Sequence, residues 1–315
     1  MGRHKAHASS HPRQSENNGW RNPGRDNNRI SRLVRFDMAG KYIQEGEKEM
    51  ATITGALSND EYRKVKAWSK SDLDLLHKSP ALIEWSRNAP SDGSPAVDRG
   101  TDLHCALLEP DEFSLRYVRM PEYDLRSSAG RANAESFRES MAGSGRIIHT
   151  AQEHDMVIAM RDSVLAHPVA RSMLTVSGKS ENSIFWEFDG IRLKARPDRI
   201  PDEEHFGHVL VDVKKIADAD KMQRHFQDFR YHVQDAFYSD AYQQLTGSMP
   251  RFIFICVGER RSIGRHPVHV VELPLEWVEL GRDEYRKDLA IAKELDEFGS
   301  SFDVELLPMP KWINK

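Results

Sequence analysis

Cysteine is scarce in this chain: of its 315 residues only Cys105 and Cys256 are cysteines. Two cysteines exclude a disulfide framework, and without a Cys-x-x-Cys pair the chain lacks the usual zinc-ribbon and thioredoxin-like signatures. An iron–sulfur cluster held by four cysteines is excluded as well. We therefore expect a protein of a reducing, cytoplasmic compartment.

Long apolar runs are missing too, and no stretch approaches the roughly 18 residues that a membrane span needs. The opening MGRHKAHASSHPRQ has no apolar segment behind its charges, so we expect no secretory signal and no membrane contact. A glycine-rich phosphate loop is also absent, because Gly100-Thr101 lacks the spacing of that motif.

The chain has little net charge, −4, which argues against a protein that coats nucleic acid by bulk charge. The charge is unevenly distributed, however. Residues 1–36 carry eight basic and two acidic residues in an Asn-, Ser- and Gly-rich context without apolar periodicity. We expect residues 1–60 to be a disordered basic tail, either a simple solvated extension or a loose nucleic-acid tether, and residues 61–315 to form a single domain.

Helix and strand patterns alternate along the rest of the chain. Ser69 and Asp72 occupy the N-cap and N3 positions of a capping box, which predicts a helix start. Further helices are predicted over 96–108, 151–166, 231–245 and a stripe from 277 to 298, and strands over 184–188, 191–196, 208–214, 252–257 and 268–273. This order predicts a mixed α/β domain, a central mixed β-sheet flanked by helices, with a helical N-terminal part.

Two aspartates and a lysine carry the chemistry in this pattern. In the strand over 208–214 the alternating valines share one face, whereas Asp212 and Lys214 share the other. Asp198 is expected to close the preceding strand and to lie within a few ångströms of Asp212. Neighbouring carboxylates repel unless a cation lies between them, and hard oxygen ligands suit Mg²⁺. Lys214 could orient or deprotonate a water, or stabilise phosphate charge, as in a metal-dependent phosphodiesterase.

Each of these fragments also has an ordinary structural interpretation, since Asp-x-Lys can be a surface ion pair and Pro-Asp a simple turn. The following helix favours a site, because Gln234 and Tyr238 lie at i and i+4 on one helix face. Alternating basic residues on the strand before Asp198 are expected to add positive charge for phosphates; they are Arg192, Lys194 and Arg196.

These motifs resemble a known nuclease family. Pro197-Asp198 followed by Asp212-Val213-Lys214 is similar to the PD-(D/E)XK nuclease motif, and Gln234-x-x-x-Tyr238 to the motif of its RecB-type branch. The segments 69–73 and 100–113 resemble the exonuclease VIII (RecE) nuclease domains. The resemblance runs from about residue 68 to residue 245 and implies a restriction-endonuclease-like core. Asp102, two residues before His104, departs from the apolar helix expected there.

The resemblance also implies roles for individual residues. Asp198 and Asp212 would be the central metal ligands, and the Val213 carbonyl and His104 would be further ligands. Lys214 would position the attacking water. Glu181 fits the additional acidic position of these nucleases, or else is a cap or a solvated loop acid. The residues expected to contact DNA or brace the site are Gln234, Tyr238, Ser69, Ser71 and Arg196.

As a function, the resemblance implies a Mg²⁺-dependent exonuclease, with Mn²⁺ as a substitute, that degrades duplex DNA 5′→3′ from its ends. It implies a recombination role with a single-strand annealing recombinase as partner, and a homo-oligomeric ring. Two alternatives stay open: another RecB- or Cas4-like nuclease with a different end preference, or a DNA-binding module of the same fold that has lost catalysis.

Overall fold

The computed structural model describes residues 51–55, 57–88, 95–299 and 309. All of them belong to one compact unit, Glu49–Lys315. Most of the predicted basic tail, residues 1–50, lies outside the described residues. The predicted boundary at residue 60 is corrected, because residues 52–54 already form a strand and Ser58 caps a helix with a capping box to Glu61.

The twelve α-helices in the described part of the chain are α1 (Asn59–Lys64), α2 (Lys70–Lys78), α3 (Ala81–Asn88), α4 (Pro95–Leu108), α5 (Pro110–Arg116), α6 (Ser128–Met141), α7 (Ala151–Ala166), α8 (Pro168–Thr175), α9 (Glu203–Phe206), α10 (Met222–Asp228), α11 (Tyr231–Thr246) and α12 (Leu275–Phe298). Five of them, α2, α4, α7, α11 and α12, form where sequence periodicity and caps predict them. The capping box predicted at Ser69 is present, because its hydroxyl oxygen accepts the Asp72 N–H. None of these helices is long and apolar enough to cross a membrane.

Across the described ranges, the strands form three separate sheets. They are β1 (Thr52–Thr54), β2 (Tyr117–Arg119), β3 (Ile147–His149), β4 (Gly178–Ser180), β5 (Ser183–Phe188), β6 (Ile191–Ala195), β7 (Arg199–Pro201), β8 (Val209–Ile216), β9 (Arg251–Gly258) and β10 (Val268–Val271). The main sheet has the order β10-β9-β8-β7-β4, with β8 and β9 parallel and the other pairs antiparallel. The predicted mixed sheet is therefore confirmed.

Both faces of the central strand β8 are buried, and each faces a different helical layer. Val209, Val211 and Val213 pack with residues of α4, α7 and α8 on one side. Leu210 and Ile216 pack with residues of α2, α11 and α12 on the other. A strand covered on both faces is typical of a central parallel pair. Asp212 and Lys214 therefore lie on the face that meets α11.

The predicted hairpin is present as β5 and β6, with Asp189-Gly190 in its turn at positive φ. Its geometry corrects one expectation about the site. Asp198 does not end the hairpin strand, because β6 stops at Ala195. It lies just before β7, whose Arg199 pairs with Val211 of β8. Pro197 has no N–H to donate to a sheet, which accounts for the break.

Candidate active site

Asp198 is held against β8 by a backbone hydrogen bond. Its Oδ2 accepts the Val213 N–H at 2.6 Å. Val213 lies between Asp212 and Lys214, so this bond places the Asp198 carboxylate beside both side chains. The juxtaposition predicted from the sequence is present, although it arises from the break before β7 and not from pairing within the hairpin.

Asp212 is 2 % exposed and has a polar partner on each carboxylate oxygen. The Lys214 ammonium lies 2.6 Å from its Oδ2, and the Gln234 amide of α11 donates to its Oδ1 at 2.5 Å. Burial and repulsion from Asp198 raise the pKa of Asp212 to about 6, while Lys214 opposes this shift. Burial disfavours the Lys214 ammonium, but Asp212 and other negative groups outweigh it, so the pKa of Lys214 is raised.

His104 brings α4 to the same carboxylate. Its Nδ1 lies 2.7 Å from the Gly100 carbonyl oxygen one turn earlier, and its Nε2 lies 2.9 Å from Asp198 Oδ2. Burial works against the charged imidazolium, but Asp198 more than offsets it and raises the pKa of His104 to about 10. Burial alone would raise the pKa of Asp198, but His104 and Lys214 outweigh burial, so the pKa of Asp198 is lowered. His104 and Asp198 therefore form an ion pair.

Glu181 lies in the turn between β4 and β5, at a positive φ of 53° that is uncommon for a residue with a side chain. Its N–H donates to the Asp198 carbonyl oxygen at 3.1 Å. Burial and the negative charge of Asp198 raise the pKa of Glu181 to about 7. Glu181 therefore borders the Asp198 site and is not a remote loop acid.

The donor set suits a hard divalent metal, since it contains carboxylates, a backbone carbonyl and an imidazole. Asp212 Oδ2 is buried and lies 2.6 Å from the Lys214 ammonium, so this oxygen already faces a positive charge. Within the described ranges, however, no three His, Cys, Asp or Glu side chains already converge on one point. Their oxygens face the His104 and Lys214 cations instead, so metal binding would displace these contacts.

Tyr238 lies one turn after Gln234 on α11 and is half-buried. Burial raises the pKa of its phenol well above the ordinary value, with further contributions from Tyr62, Asp212 and Asp198. Gln234 and Tyr238 therefore lie on the predicted helix face. In this structure the Gln234 amide donates to Asp212, and Tyr238 lies close enough to Asp212 and Asp198 for their charges to affect its pKa.

The predicted basic strip before Asp198 is used differently. Arg196 donates to the Ser183 hydroxyl and the Asn59 side chain, and stacks over the Tyr62 ring at 4.2 Å. Lys194 is buried, and its ammonium donates to backbone carbonyls of residues 62, 63 and 65. Lys194 and Arg196 thus hold the segment 57–65 in place. The prediction that Lys194 supplies positive charge for phosphates is wrong, because its ammonium is buried against backbone carbonyls.

Lys70, the first residue of α2, lies near the candidate site and was not among the residues predicted from the sequence. Ser69 caps the helix through Asp72, and Ser71 is exposed. Between them, Lys70 is buried, pairs with Asp74 at 2.6 Å, and lies close enough to Lys214 for the two charges to interact. Its position within Ser-Lys-Ser-Asp at a helix start was the available signal.

Asp102, the departure noted in the sequence, belongs to a second His–Asp pair on α4. Its Oδ2 lies 3.1 Å from His149 Nε2 of β3, and the His149 ring packs against Tyr117 with a centroid distance of 4.7 Å. Asp102 and His149 are both buried. This pair fastens α4 to the small β2–β3 sheet and is separate from the His104–Asp198 pair.

Comparison with known proteins supports the fold assignment. The model of the PDDEXK-like domain of unknown function (DUF3799) matches residues 64–298, more than half of the chain. A crystal structure described as a putative exonuclease from Eubacterium rectale superimposes with a TM-score of 0.55 at 10 % identity, covering 81 % of this chain and 96 % of that one. The crystal structure of SSO0001 aligns at 14 % identity, covering 60 % of this chain and 84 % of that one, with a TM-score of only 0.27. No curated protein matches.

The family match confirms the resemblance drawn from the motifs at the level of the superfamily, and the mixed sheet agrees with it. A structural likeness at 10 % identity supports the shared fold alone. The chain belongs to the PDDEXK-like domains of unknown function (DUF3799), within the PD-(D/E)XK nuclease superfamily.

Proposed function

We propose that this protein is a divalent-metal-dependent deoxyribonuclease that hydrolyses phosphodiesters from the ends of duplex DNA. One observation carries the proposal: Asp198, Asp212 and Lys214 lie together at β8, with His104 against Asp198. The family membership supports a nuclease, and the direction of degradation comes from the resemblance to exonuclease VIII, which favours 5′→3′.

Asp198, Asp212, the Val213 carbonyl and His104 would hold the metal, with Glu181 beside them. Mg²⁺ fits this oxygen-rich set, and Mn²⁺ is expected to substitute for it. The chemistry that a bound divalent metal supplies is Lewis-acid polarisation of the phosphate and a lower pKa for the attacking water. In the reaction, a water oxygen forms a bond to phosphorus while the bond to the leaving ester oxygen breaks.

The protein's own groups orient the water and the two carboxylates for this step. The raised pKa of Lys214 keeps it an ammonium, which supports orienting the water and stabilising charge on the phosphoryl oxygens over acting as a base. Gln234 holds Asp212 Oδ1, and the Val213 N–H holds Asp198 Oδ2. Both carboxylates are therefore oriented before any ligand arrives, which reduces the ordering needed at the moment of reaction.

The proposed setting is cytoplasmic processing of DNA ends for recombination. Two buried free cysteines suit a reducing compartment. A single-strand annealing recombinase would use the resected strand, and a homo-oligomeric ring would retain the duplex. These assignments follow the resemblance to exonuclease VIII and are tested separately, by pull-down with such a recombinase and by the mass of the protein in solution.

The decisive experiment compares linear with covalently closed circular duplex DNA, in Mg²⁺ and in EDTA, for the wild type and Lys214→Ala. The proposal expects Mg²⁺-dependent loss of the linear DNA alone, and at least about a hundredfold less cleavage by the variant. Nicking of the circles would favour an endonuclease of the same superfamily, and binding without cleavage would favour an inactive DNA-binding module. Duplexes labelled at one 5′ or one 3′ end give the polarity in the same time course.

A further inference from the structure

An aromatic ring lies exposed beside the candidate active site. Phe229 occupies the turn between α10 and α11 and is 54 % exposed. One side of its environment is aromatic: its ring centroid lies 4.3 Å from that of His225 and 5.9 Å from that of Tyr231. The Phe229 and Tyr231 planes differ by only 26°, which is a stacked arrangement. The ring is therefore held in a fixed orientation, with half of its surface still in solvent.

This ring is close to the proposed chemistry. The Lys214 ammonium lies 4.7 Å from the centroid of the Tyr231 ring, and Phe229 stacks against the same ring. Together these two contacts place Phe229 no more than about 11 Å from the Lys214 ammonium. A stacked nucleic-acid strand advances 3.4 Å per base step, so this distance corresponds to roughly three nucleotides.

The backbone around Phe229 is pinned by buried charges. Arg230 has the left-handed φ of 53°, an unfavourable conformation for a residue with a side chain. Its guanidinium is buried and bonded to three carboxylates at 2.6 to 3.3 Å, those of Asp74, Glu284 and Asp288. Lys70 also donates to the Phe229 carbonyl oxygen at 2.7 Å. Strained residues that the surroundings hold in place are concentrated at functional sites.

We propose that the exposed face of Phe229 is a stacking platform for a nucleobase within about three nucleotides of the scissile phosphate. The inference rests on the proposed deoxyribonuclease function and adds the part of the substrate that this site grips. Every base has an apolar π-face, so such a contact holds a DNA strand without reading its sequence.

The test uses short duplexes with 2-aminopurine placed, one at a time, at each of the first six positions from a 5′ or a 3′ end. Binding is followed in EDTA, so that no metal-dependent cleavage interferes. We expect at least one position whose fluorescence is quenched by the wild type and not by Phe229→Ala. Phe229→Tyr should retain the quenching. Leu115→Ala, which truncates an exposed apolar side chain on α5, is the matched control.

Cleavage gives a second readout on the same variants. Phe229→Ala should lower kcat/KM about tenfold to a hundredfold on intact DNA, as expected for the loss of one base–aromatic stack. An abasic nucleotide at the quenched position should slow the wild type by a similar factor and leave Phe229→Ala unchanged. Thermal unfolding of Phe229→Ala checks that the fold is retained.

The outcomes separate this inference from the proposed function. Equal quenching by wild type and Phe229→Ala at every position overturns the platform, whether or not the protein cleaves DNA. A change in solution mass with Phe229→Ala and no change in quenching also overturns it, because the ring would then be a subunit contact. Quenching that depends on Phe229 in a wild type that cleaves no DNA would uphold the platform and refute the deoxyribonuclease.

Discussion

The Asp198 carboxylate accepts the Val213 N–H at 2.6 Å, which ties the loop before β7 to the strand that carries Asp212 and Lys214. Val213 is also the residue whose carbonyl is proposed as a metal ligand. The Val213 N–H thus orients the Asp198 carboxylate, and the preceding residue of β8, Asp212, supplies the second carboxylate. The candidate site therefore depends on β8, which holds both carboxylates next to each other.

Substitutions in the two His–Asp pairs of α4 should have different effects, one on cleavage and the other on the free energy of unfolding. His104→Ala removes the imidazole facing Asp198 and should abolish cleavage while the protein stays folded. His149→Ala leaves the buried Asp102 without this partner and should lower the free energy of unfolding by about 1–3 kcal/mol. Its cleavage per folded molecule should be unchanged. Thermal unfolding and nuclease assays on both variants measure this, and an active His104→Ala would remove His104 from the site.

Gln234→Ala should weaken metal activation, because Asp212 Oδ1 loses the amide that orients it. Loss of a residue that orients a metal ligand typically costs about 10- to 100-fold in metal affinity or activity. The Mg²⁺ concentration for half-maximal cleavage should rise accordingly. Gln244→Ala, exposed on the same helix, is the control. Identical Mg²⁺ curves for wild type and Gln234→Ala would show that this contact has no role.

Asp235 makes stability depend on pH. Burial raises its pKa to about 7 from an ordinary value of 3.8, although the Ser239 hydroxyl, which donates to it at 3.1 Å, favours the charged form. A raised folded-state pKa means that the folded protein binds the proton more tightly. The contribution of the Asp235 proton to the free energy of unfolding is complete below about pH 4. It decreases as the pH rises towards 7 and is absent above pH 7.

Asp235→Asn should therefore be more stable than the wild type at pH 8, by on the order of 4 kcal/mol at most, because each pKa unit corresponds to about 1.4 kcal/mol. The difference should shrink towards pH 4. Urea unfolding at several pH values measures it, with the exposed Asp283→Asn as control. A variant less stable than the wild type at pH 8 would contradict the burial argument.

Gly281→Ala should destabilise the contact between α12 and α11. A Cβ at this position would lie 2.3 Å from the His232 carbonyl oxygen and 2.8 Å from the Val233 nitrogen, and backbone atoms cannot move aside cheaply. Overpacking of this kind costs about 1–3 kcal/mol or more. Because α11 carries Gln234, cleavage should fall as well. Thermal unfolding tests this against the exposed Lys287→Ala, and an unchanged Tm would refute it.

Much of the fold could be predicted because its signals are local. The Ser69–Asp72 capping box, the Asp189-Gly190 turn and the alternating valines of β8 each depend on residues a few positions apart. The helix over 128–141 had no clear signal, since its Gly- and Ser-rich segment lacks a strong apolar stripe. The strand at 52–54 was missed because three residues carry no periodicity, and only pairing with β5 defines it.

Asp198, Asp212, Lys214 and the Gln234–Tyr238 helix face can be recognised as candidates along the chain, and the family resemblance adds His104. Which of these residues meet depends on the packing of distant segments. His104 faces Asp198 and Asp102 faces His149 because α4 packs between two layers, and no spacing along the chain encodes that. Arg196 and Lys194, equivalent by strand alternation, are used to fasten the segment 57–65. Burial and long-range packing, which depend on the whole fold, set these partners.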